Sequence, residues 1–134
     1  MANVLFAKGK EEILAGAVNF LTDTIKVALV KNSYAQNITT DHFLSTISAH
    51  LLGADQTLAN KSITAGVFDA DDSTWTAVAT GSTIKCVVIY KDTGNAATSP
   101  LLGFIDTITG FPLATNGSDI TVQWDNGPFK IFSL

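Results

Sequence analysis

The residues of this chain with the greatest capacity for chemistry lie in "GVFDADDSTWTAV", residues 66–78, where Asp69, Asp71 and Asp72 crowd just upstream of Trp75. Carboxylates this close serve one of three ends: a calcium loop, an acid–base pair, or a turn whose side chains cap backbone amides. An EF-hand loop starting at Asp69 needs glycine where Thr74 stands and a bidentate glutamate where Thr80 stands, so that motif is unfilled. A shallower calcium site built from Asp69, Asp71, Asp72 and backbone oxygens is the weak metal candidate. Neighbouring carboxylates in a turn repel and stay solvated, so an acid–base pair would need a distant partner such as Asp106 or Asp125, held in a cleft. The pattern favours a solvated turn and gives no catalytic residue.

Other reactive types are sparse. His42 and His50 stand eight residues apart, about 80° around a helix, with no recognised third ligand, which is a poor zinc pattern. Gly-x-Ser-x-Gly, GxxxxGK[ST] and GxGxxG are absent, so no hydrolase or nucleotide signature is filled and no cofactor is expected. Cys86 is the single cysteine, which rules out an internal disulfide; in "STIKCVVIY" it alternates with Ile84, Val88 and Tyr90 as a small core residue. Trp75 and Trp124, with Asp125 and Asn126 beside the second indole, are candidate glycan contacts, since an exposed indole stacks on a sugar face while Asp and Asn bond its hydroxyls. Against this, tryptophans at strand ends more often pack a core or an interface.

Composition narrows the partners. All eight basic residues are lysines, the formal charge is −4, and no arginine fork is present for phosphate or base edges, so nucleic acid is not expected as a partner. No apolar run approaches the roughly 20 residues that span a bilayer, and the N-terminal stretch lacks a secretion signal; synthesis in the host cytoplasm and no membrane partner are the expectation. The three Asn-x-Ser/Thr sequences, at Asn37, Asn60 and Asn116, then carry no weight as glycosylation sites.

Along the chain around these residues, "GKEEILAGAVNFL" places Ile13, Leu14, Ala17, Val18 and Leu21 at helical spacing behind Glu11 and Glu12. A turn at Asp23 leads into "TIKVALV", dense in branched residues and read as a buried strand. "TDHFLSTISAHLL" puts Phe43, Leu44, Ile47 and Leu51 at helical spacing, giving a second short helix stopped by Gly53. From residue 61 on, "KSITAGVF", "TWTAV", "STIKCVVIY", "LLGFIDTI", "DITVQW" and "FKIFSL" read as strands between turns, with "DNGP" as a tight connection between neighbouring antiparallel strands. The expectation is one domain, residues 1–134, mainly β: an antiparallel β-sandwich or jelly-roll-like barrel with two short helices in the N-terminal half. The apolar tail, Phe129, Ile131, Phe132 and Leu134, is expected to close the sheet or pair across a subunit boundary.

Five blocks in order, "LTDTIKVALV", "GVFDADDSTWTAV", "VVIYKDTG", "SPLLGFIDTITGFP" and "DITVQWDNGPFKIF", cover most of the chain. In these it resembles a family of small structural proteins of tailed bacteriophages and prophages. The resemblance implies a virion component without catalysis. The preferred role is a capsid decoration or cement protein, a homotrimer clamping the major capsid protein or other virion proteins; the alternative is a tail or fibre subunit contacting a host glycan.

Overall fold

The computed structural model describes residues 4–125, 127 and 130–133. Its elements are β1 (Val4–Leu5), α1 (Ala7–Leu14), β2 (Ile25–Lys31), β3 (Leu51–Thr57), β4 (Ser62–Thr64), β5 (Val67–Asp69), β6 (Ser73–Trp75), β7 (Thr83–Lys91), β8 (Leu101–Ile105), β9 (Leu113–Ala114), β10 (Ile120–Val122) and β11 (Phe132–Ser133). The main sheet is antiparallel in the order β1-β8-β7-β2-β3, with β9 pairing the start of β7. Two smaller antiparallel sheets, β10-β6 and β11-β5-β4, complete a mainly β structure in which no sheet closes into a barrel.

The main sheet is buried on both faces, and alternation along its central strands divides the core in two. Ile25, Val27, Leu29, Val87 and Ile89 point to a face covered by the small sheets, through Phe68, Trp75, Ile120 and Val122, with Trp124 and Ile131 beside them. Ala28, Val30, Cys86, Val88 and Tyr90 point to the other, where Tyr34, Leu44 and Ile47 cover them. Double burial is why β2 and β7 read as continuous branched runs rather than as alternating ones.

The cover on the second face is residues 32–50, which leave the end of β2, cross the sheet and return to β3. Backbone bonds pin the crossing: Leu44 N–H donates to Ser99 O and Ser45 N–H to Ala96 O, while Leu101 N–H donates to His42 O. The segment contains two short 3-10 turns, Leu44–Thr46 and Ser48–His50, in place of the expected second helix. Phe43, Leu44, Ile47 and Leu51 have the helical spacing, but that spacing nearly matches a three-residue period too. Ser48 Oγ bonds back to Leu44 O, the competition with backbone ladders by which hydroxyl-rich stretches resist long helices.

Gly53, expected to stop that helix, lies inside β3 at φ 73°, where the pairing of β2 with β3 shifts register. The first helix exists but ends at Leu14, so Leu14 and Leu21 are exposed rather than part of one buried stripe. It approaches β8 through Gly9: a Cβ there would lie 2.4 Å from Leu101 O. Ile84 departs from the face of Cys86 because the register of β2 against β7 slips between Val30 and Lys31, turning Ile84 into the other core. The strands flanking "DNGP" are not neighbours, since β10 pairs with β6 and β11 with β5.

Candidate functional site

The aspartate stretch forms a fastening. Asp71 and Asp72 lie between β5 and β6, and each holds Trp124: Asp72 Oδ1 accepts the Trp124 backbone N–H at 2.9 Å, and Asp71 O accepts its indole N–H at 2.9 Å. Asn60 Nδ2 donates to Asp71 Oδ2 at 2.5 Å, and Asp71 N–H donates to Ala59 O. Asp69 sits in β5 opposite Ser62, away from this knot. Among the described residues no three His, Cys, Asp or Glu side chains converge as a metal would require.

The two tryptophans are interior. Trp75 is 1% exposed and Trp124 6%, so neither indole offers a face on which a sugar could stack. Asp125 accepts the N–H of Gly127 at 3.0 Å, and Asn126 lies outside the described residues. Trp75 and Trp124 thus face inward, as the period-two pattern of β6 and β10 turns apolar residues toward the core.

The histidines are held separately. His42 Nε2 contacts Glu12 Oε1 at 2.9 Å while its ring stacks on Phe43, and His50 Nδ1 bonds Ser33 Oγ at 2.8 Å. Cys86 is fully buried, and burial pushes its thiol up to about 12, far from a reactive thiolate. Asp106 Oδ1 and Trp75 Nε1 are buried without a hydrogen-bond partner among the described residues. Asp106 lines a polar cleft of about 650 Å³ with Lys85, whose ammonium is committed to Tyr34 O at 2.5 Å and Gln36 Oε1 at 2.6 Å.

Sequence reasoning missed the half-buried tyrosine–carboxylate pairs. Tyr90 donates to Asp55 Oδ2 at 2.5 Å, and Tyr34 donates to Asp41. Desolvation holds both phenols above their ordinary range and raises the Asp55 carboxyl, which the Tyr90 bond and Lys26 partly offset. Lys26 in turn pairs with Asp92 at 3.0 Å. Nothing local signals Asp55 and Tyr90 as partners across 35 residues; only the strand order brings β3 near β7.

The C-terminal stretch divides. Ile131 is 3% exposed within the core, and Phe132 packs with Phe20 and Phe68 at centroid distances of 5.2 and 5.4 Å. Phe129 and Leu134 lie outside the described residues. A cleft of about 720 Å³ is walled by Leu5, Gly103, Ile105, Ile131 and Phe132, with Lys10 and Asp125 among its polar lining.

Fold and site together define a mainly β protein in which Asp71, Asp72, Trp124, His42 and His50 serve as fasteners between elements. No protein-family model and no curated protein matches the chain.

Proposed function

We propose that this chain is a virion structural protein of a tailed bacteriophage, a capsid decoration or cement protein that self-associates and grips the head shell. The observation supporting it is the division of labour on the molecule. Asp71, Asp72, His42, His50 and Cys86 are spent on holding the fold, while strand edges and an apolar cleft stay open to neighbours. The arrangement is read as an open sandwich, one doubly covered sheet with smaller sheets on one face. Such a body binds by shape and edge, without an active site, and stabilises the state it binds by mass action. The five ordered sequence blocks, in which the chain resembles phage structural proteins, direct this reading to a virion. A homotrimer that assembles on the major capsid protein, from subunits free in solution, is the form proposed for this role.

The test is immunogold labelling of the virion that carries the chain, combined with binding of purified protein to expanded shells. Label spread over the head at symmetry-related positions, with a rise in the shell's disruption temperature, is the expected result. Label confined to the tail would replace cement with a tail role, and absence from virions would overturn the proposal.

A further inference from the structure

We infer that the outer edge of β4 is a self-association edge, pairing antiparallel with β4 of a second copy about a two-fold axis through Ile63. Ser62, Ile63 and Thr64 are all exposed, and Ile63 keeps 49% of its surface in water. Strands left at a sheet edge are ordinarily guarded by shortness, charge, proline or a bulge. β4 has only its shortness, three residues, and no charge, proline or bulge. Lys61, the one flanking charge, is turned away, its ammonium bonded to the carbonyl of Asp23.

The backbone fixes the register. Ala65 and Gly66, at φ 52° and 78°, form a two-residue primed turn, which makes the closing pair Thr64–Val67 a hydrogen-bonded one. Alternation then makes Ile63–Phe68 a non-bonded pair, so the N–H and C=O of Ile63 point outward. The Phe68 carbonyl agrees, facing away from β4 to accept Ile131 N–H at 3.1 Å. Two copies meeting at Ile63 exchange both of its bonds.

The side chains fit a second copy of the same strand. About Ile63 the sequence is nearly self-symmetric: Ser62 meets Thr64 of the partner, a hydroxyl pair that cross-strand positions favour. Ile63 meets itself, and no charge opposes a like charge within the three paired residues. The three-stranded sheets of two molecules become one continuous sheet, extending the apolar face of Phe68 and Phe132. An edge of three residues a side gives weak association, suited to molecules held close by a common support. The contact stands whether or not that support is a phage head.

Ile63→Cys and Ile63→Lys test it on the full chain. Sedimentation of the wild type should show an average mass rising above 14.1 kDa with concentration, while Ile63→Lys stays at 14.1 kDa with an unchanged melting temperature. Under mild oxidation Ile63→Cys should form a covalent dimer at least tenfold faster than Lys10→Cys, an exposed helical control; native Cys86 is buried and silent. A wild type that stays monomeric at millimolar concentration, equal association of Ile63→Lys, or equal cross-linking of the two cysteine variants would each overturn the inference.

Discussion

At the scale of single residues, the aspartates between β5 and β6 earn their place through Trp124. Trp124→Phe keeps an aromatic ring in the site but removes the indole donor to Asp71 and the second ring, and should cost about 1–3 kcal/mol in urea unfolding. Trp124→Ala empties the site as well and should cost about 3–5 kcal/mol. A Trp124→Phe variant as stable as wild type would show that the bond contributes nothing. Protonation of the acidic residues has signs that oppose each other. The Asn19 N–H holds the Asp23 carboxyl below its ordinary value, helped by Lys91, and the Gly94 N–H does the same for Asp92, helped by Lys26. Their contributions are present above pH 3.8 and lost as pH falls through the lowered folded values. Asp55 is raised by burial, so its contribution is complete below pH 3.8 and lost as pH rises through its folded value. Unfolding of wild type and Asp55→Asn across pH 3 to 7 should therefore show wild type losing ground to the variant as pH rises. A difference constant with pH would reject that account.

At the scale of elements, α1 sits where it does because position 9 has no side chain. Gly9→Ala improves helix propensity by about 1 kcal/mol, yet its Cβ meets the Leu101 carbonyl at 2.4 Å and would push the helix off β8. Overpacking of this kind costs about 1–3 kcal/mol, so net destabilisation in chemical denaturation is expected; a gain in stability would show that the helix yields freely. The sequence made the long branched strands legible: "TIKVALV" and "STIKCVVIY" became β2 and β7, because burial on both faces demands apolar residues at every position. β3 was illegible for the converse reason. "LLGADQT" lies at the edge of the main sheet, half-exposed, with a bulge at Gly53 that breaks its period. The aspartate turn was readable as a turn, but its target was not, since Trp124 is 52 and 53 residues away from the groups that bind it. The burial of both indoles was hidden for the same reason: spacing alone cannot tell an indole at a strand end that faces water from one that faces the core.

At the scale of the whole molecule, the sheet separates two cores that differ in what covers them. One is capped by strands β5, β6 and β10; the other is capped by residues 32–50, which have little regular structure and are fixed by bonds to the β7–β8 connection. Ile47 is a fully buried residue of that segment, and Ile120 is a buried residue of the opposite cover. Each truncated to alanine should cost about 2–5 kcal/mol. Because their side chains belong to different clusters with the sheet between them, the double variant should show the sum of the two losses within about 0.5 kcal/mol. Cooperativity is a separate matter from additivity. Nearly every residue of β2 and β7 is shared between the cores through its backbone neighbours, so loosening residues 32–50 removes one wall from a sheet the other core also needs. Ile47→Ala should accordingly unfold in a single transition, with fluorescence of Trp75 and Trp124, both on the opposite face, falling together with the far-ultraviolet dichroism. An early dichroism change that leaves the tryptophan signal native would show that the segment over the second face opens as a unit of its own, and that the strand-covered half is the part that holds the fold.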